Sequence, residues 1–259
     1  MIKFNRLKKQ PIYFYSKIAP LGKVLKIKVS EGIHMLFRAR TLDRAVLKDV
    51  WTKDAYSKAG FEIRESDTVI DIGGHIGAFT VFAAKKAAKG QIYTFEPFSE
   101  NYEMLLSNVK LNHIKNAVIE NAAIGKEDGI SKLYIRPKEL TKGEIAYNSG
   151  GHSFHLIKDS NISVEVKTYM LDSVIEKHKL RNVDFLKMDC EGAEYEIIFN
   201  TSKETLSRIS KIVMECHPYE NYTYDDMHDF LEDNGFECLS SKDRHYNLYL
   251  IYAIRRNQG

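Results

Sequence analysis

Asp67-Thr68-Val69-Ile70-Asp71-Ile72-Gly73-Gly74-His75-Ile76-Gly77-Ala78-Phe79-Thr80 is the stretch whose reading decides the fold. Val69, Ile70 and Ile72 make a short apolar run broken only by Asp71, which predicts a buried strand. Glycines stand at 73, 74 and 77, and the chain re-emerges as Ala78-Phe79-Thr80-Val81-Phe82-Ala83-Ala84, apolar with helical propensity. Strand, glycine turn and helix start form the βα unit of nucleotide-binding sheets. Glycine lets the backbone take φ > 0 and come close to a ligand. The spacing Gly73-x-x-x-Gly77 is not the dinucleotide G-x-G-x-x-G, whose loop cradles a pyrophosphate at a helix N-terminus. A methyl donor carries no phosphate, and Asp71 suits a ligand bearing an amino group and a sulfonium. The stretch therefore points to S-adenosylmethionine, with Asp71, Gly73, Gly74, His75, Gly77 and Thr80 as candidate contacts.

Working outward, residues 91–96 predict a second strand ended by Pro97. Glu96 follows Asp71 by 25 residues, where nucleoside-binding sheets place a carboxylate for both ribose hydroxyls. Free ribose hydroxyls speak against a 2′-phosphorylated cofactor. Ser99 is expected to cap a helix through Tyr102, Leu105, Leu106 and Val109. Residues 117–119 read as a third strand, and Asn121-Ala122-Ala123-Ile124-Gly125 as a loop along the adenine, with Asn121 or the Ala122 backbone at the base edge. Strands are expected over 133–136 and 162–167, around the polar loop Asn148-Ser149-Gly150-Gly151-His152-Ser153, with His152 and His155 as loop histidines. A segment this long inside a compact domain is usually functional.

The fourth strand, 183–188, ends in Asp189-Cys190-Glu191-Gly192-Ala193-Glu194. Parallel sheets bind ligands outside the carboxyl ends of their strands, so Asp189, Glu191 and Glu194 should face the cleft with Gly73 and Glu96. A fifth strand over 209–215 closes with Glu215-Cys216-His217-Pro218, and Glu215 and His217 point the same way if the strand persists. A helix over 225–234 and strands over 236–239 and 246–254 finish the chain, the last pair as a hairpin with a reversed edge.

The 259 residues, 44% apolar and 28% charged, suit one large α/β domain with an extension. No apolar run reaches the roughly 18–20 residues of a membrane span and no secretory pattern opens the chain, so the cytoplasm is the default expectation. Cys190, Cys216 and Cys238 have no metal-ligand spacing and read as reduced thiols. The net charge of +3 is unevenly placed: residues 1–28 hold eight Lys or Arg and no acid, with Tyr13, Phe14 and Tyr15 among them. That lead is either a solvated face or a contact for an anionic glycan, a phospholipid surface or RNA. Residues 24–29 and 34–38 look like a hairpin and 42–50 like a helix, so residues 1–60 are expected to cap the glycine-turn end of a domain spanning 61–259.

Val69-Ile70-Asp71-Ile72-Gly73-Gly74-His75-Ile76-Gly77, Phe95-Glu96-Pro97, Leu105-Leu106-Ser107-Asn108-Val109-Lys110-Leu111-Asn112 and Leu186-Lys187-Met188-Asp189-Cys190-Glu191-Gly192-Ala193-Glu194 occur in that order. Together, over roughly residues 66–217, they resemble the FkbM-type methyltransferase family. The resemblance implies a Rossmann-like class I α/β fold, with a seven-stranded, mostly parallel sheet and a terminal antiparallel hairpin. It also implies S-adenosylmethionine as methyl donor and, most often, O-methylation of a sugar, glycolipid or secondary metabolite. Where the family usually has Ala-Asn, this chain has Gly74-His75.

Methyl transfer from a sulfonium is an in-line displacement, so alignment and exclusion of water come first. An alcohol also needs a base. His217 is the candidate base, titrating near neutrality, with Asp189 near the donor's methionine end and Asp189 or Glu191 orienting it or serving directly. Glu191 and Glu194 could equally be helix N-terminal charges. A divalent cation held by Asp189 and Glu215 ranks second. Nucleic-acid methylation would suit the basic lead, but no aromatic-proline tetrapeptide follows strand four; a donor-binding protein without catalysis is the third class.

Overall fold

The computed structural model describes residues 7, 9–53, 55–136, 149–154, 162–217, 222–243 and 248–256. Asn148, His155 and Pro218, named above, and three basic residues of the lead, Lys3, Arg6 and Lys8, lie outside the described residues. In chain order the elements are α1 (Pro11–Tyr15), β1 (Val24–Ser30), β2 (Ile33–Arg38), α2 (Asp43–Trp51), β3 (Thr68–Ile72), α3 (Ala78–Lys86), β4 (Gln91–Phe95), α4 (Ser99–Leu111) and β5 (Ala117–Glu120). There follow β6 (Ala123–Ile124), β7 (Gly129–Tyr134), β8 (Ser163–Tyr169), α5 (Leu171–Lys177), β9 (Phe185–Met188), α6 (Glu194–Phe199), α7 (Lys203–Ser207), β10 (Lys211–Cys216), α8 (Tyr224–Asp233), β11 (Phe236–Asp243) and β12 (Leu248–Arg255).

Seven strands form one sheet in the order β11-β12-β10-β9-β3-β4-β5. Only β12 opposes its neighbours; the other pairs run parallel. This is the seven-stranded α/β sheet with a reversed terminal strand that the sequence leads one to expect. Successive side chains of a strand point to opposite faces. Val69, Phe185 and Val213 accordingly join one apolar layer with α3, while Ile70, Leu186 and Met214 join the other with α5 and α6. The two charges in the middle of this apolar sheet, Asp71 and Lys187, sit opposite one another across β3 and β9, 3.2 Å apart. Each makes the other's burial tolerable.

The N-terminal hairpin β1–β2 is docked on α4 by two asparagines one turn apart. Asn108 accepts from the amide of Leu36 and donates to its carbonyl, at 2.6 and 3.0 Å; Asn112 does the same to His34, at 3.1 and 2.7 Å. Their amides replace the ladder that an edge strand leaves unpaired.

Two local expectations are corrected. Ser99 is the first residue of α4, and no side chain caps that helix; the extended Pro97-Phe98 step sets the helix start one residue earlier. The segment 121–125 is more than a loop: Ala123–Ile124 pairs with β8, and β7 pairs with β8 antiparallel, giving a separate three-stranded sheet. The cysteines are free, as the spacing implied. No helix among the described residues is long and apolar enough to cross a membrane.

Candidate active site

The carboxyl ends of β3, β4, β9 and β10 open into a cavity of about 670 Å³. Its first end is shaped by backbone. The amides of Gly73 and Gly74 both donate to the carbonyl of Phe95, at 3.0 and 3.1 Å, tying the turn to β4. Gly73 has φ +78°, and a Cβ there would stand 1.9 Å from the Asp189 carbonyl oxygen, so only glycine lets β3 and β9 end side by side. At Gly74 a Cβ would meet Thr94 at 2.4 Å and Leu105 at 2.7 Å, which accounts for glycine where the resembled family has alanine.

Glu96 lines this end, buried, with one oxygen accepting from the His75 amide at 2.8 Å and the other from the Phe98 amide at 2.9 Å. Burial still pushes its pKa up to about 7, against those amides. A carboxylate has about four acceptor sites, so capacity remains for hydroxyl donors. His75 has φ +50° and a buried ring whose Nε2 lies 3.0 Å from Ser149 Oγ. Ser149 donates to Asp43, which also pairs with Arg38. Burial holds His75 down to about 4, so its ring is neutral.

The other end is made of side chains. Tyr56 Oη donates to Glu215 at 2.8 Å and to Asp189 at 3.3 Å. Glu194, fully buried, accepts from the amides of Cys190 and Gly192 and from His217 Nδ1 at 3.0 Å. His217 Nε2 faces Glu191, 3.8 Å away. Burial pushes Glu191 up to about 7 and Glu215, helped by Asp189, up to about 8. Burial alone would lower His217, but Glu194, then Glu191 and Asp189, outweigh it and hold the imidazole well above its ordinary value. The expectation of a base titrating near neutrality therefore shifts upward: a buried carboxylate on Nδ1 favours the imidazolium and makes His217 a stronger base than a free imidazole.

Of the candidate residues named from sequence, Gly73, Gly74, His75, Glu96, Pro97, His152, Asp189, Glu191, Glu215 and His217 line the cavity. Asp71, Gly77, Thr80, Asn121 and Ala122 do not. Asp71 is turned to Thr80 Oγ1 (2.8 Å) and Lys187, inside the sheet. Gly77, at φ +80°, makes room for Leu105, 3.0 Å from where its Cβ would be. Asn121 clamps the strand end by donating to the carbonyls of Glu96 and Pro97, at 2.8 and 3.0 Å. Ala122 is buried. These five shape the site from behind. Among the residues the sequence reading left out of the site, Tyr56 and Lys187 line it, and so do Leu42 and, on α2, Ala45, Val46 and Asp49. Lys187 carried a signal: a lone lysine in a buried strand opposite a lone aspartate.

Residues 71–238 match the family model of the methyltransferase FkbM domain. The 31-O-demethyl-FK506 methyltransferase FkbM of Streptomyces tacrolimicus is 23% identical over 235 residues, 82% of this chain and 89% of that one. Methyltransferase 1 of Beauveria bassiana is 25% identical over 181 residues, 65% of this chain and 71% of that one. The crystal structure of methyltransferase FkbM from Methylobacillus flagellatus superposes with a TM-score of 0.52 at 13% identity, over 76% of this chain and 46% of that one. A family match over this much of the chain, on a sheet of this strand order, identifies the protein as a member of the FkbM family of S-adenosylmethionine-dependent methyltransferases.

Proposed function

We propose that the protein transfers the methyl group of S-adenosylmethionine to a hydroxyl of a sugar, glycan, glycolipid or secondary metabolite, with His217 as general base. The observation that carries this reading is the Glu194–His217 pair beside Asp189 at one end of the cavity, with Glu96 at the other. The residues fit the donor. Gly73 and Gly74 would let the backbone come close, Glu96 keeps acceptor capacity that would serve two ribose hydroxyls, Pro97 and Ile124 would hold the base, and Asp189 would hold the methionine end. When bound, S-adenosylmethionine supplies an electrophilic methyl group.

The chain's own residues do the rest. Glu194 fixes His217 with Nδ1–H inward, so Nε2 is the nitrogen presented to an acceptor hydroxyl. The buried carboxylate stabilises the imidazolium formed when that proton is taken. Helix α2 and Tyr56 wall the cavity on this side, and each water that a bound donor and acceptor displace strengthens the charge interactions within it. The test is turnover of the labelled donor against panels of sugars, hydroxylated metabolites and RNA. Methyl transfer to RNA alone, or donor binding with no transfer to any hydroxyl, would sink the proposal.

One observation favours a second reading. Asp189, Glu215 and His217 offer ligand atoms all within 4.8 Å of one another. A divalent cation held there would acidify the acceptor hydroxyl and occupy His217 as ligand rather than base. Activity in excess chelator decides: full activity keeps the base, and loss restored by added magnesium or manganese replaces it.

A further inference from the structure

The basic lead has a structure that the methyl-transfer reading does not use. Residues 11–19 form α1 and the turns after it, and they expose apolar tips rather than hiding them: Phe14 is 59% exposed and Ile18 80%. Val24, at the start of β1, is 50% exposed. The inward positions of β1, Leu25, Ile27 and Val29, are buried, while Lys26 and Lys28 alternate outward with Val24. Two contacts set the two halves of this segment side by side. Lys23 Nζ donates to Tyr15 Oη at 3.0 Å, and the Gln10 side chain holds the Lys28 backbone at 2.7 and 3.3 Å. The result is a short segment that carries exposed aromatic and aliphatic tips together with Lys9, Lys17, Lys23, Lys26 and Lys28, with no acidic residue before Glu31.

Apolar tips interspersed with lysines on one short segment are the composition of a membrane-interface contact. Phosphate groups alone explain the lysines but not the tips. A surface offering both anionic headgroups and hydrocarbon a few ångströms deeper explains both. We propose that residues 9–28 dock on an anionic phospholipid membrane, with Phe14, Ile18 and Val24 inserted at the headgroup boundary and the lysines on the headgroups. The segment is one layer from the cavity: Arg44, on the helix α2 that walls it, lies 4.9 Å over the Tyr13 ring. Docking therefore sets the α2 side of the cavity near the membrane surface, whatever acceptor the enzyme uses.

The experiment is flotation of the full chain with vesicles of pure phosphatidylcholine and of phosphatidylcholine with 30% phosphatidylserine. Binding is expected to the anionic vesicles and to fall steeply between about 0.1 and 0.5 M salt. Each of Lys23→Gln and Lys26→Gln is expected to lower partitioning by about fivefold. Phe14→Ser with Ile18→Ser is expected to abolish flotation while calorimetric donor affinity stays at the wild-type value, which shows that the variant is folded. Equal binding to both vesicle types, or flotation retained without the apolar tips, would overturn the proposal. So would quantitative displacement of the protein from vesicles by single-stranded RNA at equal phosphate concentration, which would make RNA the partner.

Discussion

The two ends of the cavity are built from different materials. At the Glu96 end position is set by backbone: glycine amides on the Phe95 carbonyl and two amides on the Glu96 carboxylate. At the His217 end it is set by side chains from distant segments, Tyr56 on Asp189 and Glu215, Glu194 on His217. Burial raises the pKa of Glu96 because its amides do not fully repay desolvation. At His217 burial loses to a fully buried carboxylate, and the pKa rises for the opposite reason. On the proposed reading, the first end would accept hydroxyl donors and the second would take up a proton.

If the two ends are separable in this way, His217→Ala should lower kcat by roughly 10²–10⁴-fold and leave donor affinity unchanged. Weakened donor binding in that variant would break the separation. The converse change acts on affinity. Glu96→Ala removes two charge-assisted hydrogen bonds of about 1.5–3 kcal/mol each, so calorimetry should show donor affinity down by roughly 10²–10⁴-fold, with kcat recovered at saturating donor. Wild-type affinity would remove Glu96 from the ribose. Tyr56→Phe should have the smallest effect, a loss of about 1–3 kcal/mol of stability, from leaving two neighbouring carboxylates without their shared donor. An unchanged melting temperature would show that the bridge contributes nothing measurable.

The same contrast explains what could be read from residues. A glycine turn between a strand and a helix leaves a mark within one short stretch, and Glu96 is fixed by its distance from Asp71. The fold and the lining at that end were legible for this reason, and the reversed hairpin followed from apolar alternation near the chain's end. Asp71, Gly77, Thr80, Asn121 and Ala122 sit at the expected places in the chain but behind the cavity wall, since sequence spacing does not reveal which way a side chain turns. Tyr56 reaches residues 133 and 159 positions away, and no local pattern announces such a contact. Glu194 was legible as a carboxylate facing the cleft or as a helix N-terminal charge, and it is fully buried rather than on the cavity wall. It takes the Cys190 and Gly192 amides, as the N-terminal role requires, and also holds His217, which depends on β10 lying beside β9. The asparagines of α4 stood in a family motif, but their task of docking β2 became visible only with the hairpin in place.

The most direct test of the central claim is the pH dependence of kcat in the wild type and in Glu194→Gln, each at saturating substrates. Neutral imidazole is the form that accepts a proton, so kcat should rise as pH rises through the His217 pKa. Because Glu194 stabilises the imidazolium, that limb should lie on the alkaline side of 6.5 in the wild type. Replacing the carboxylate with an amide should move the limb to lower pH while the plateau falls. A limb that does not move in Glu194→Gln, or that survives in His217→Ala, would contradict the assignment of His217 as the base.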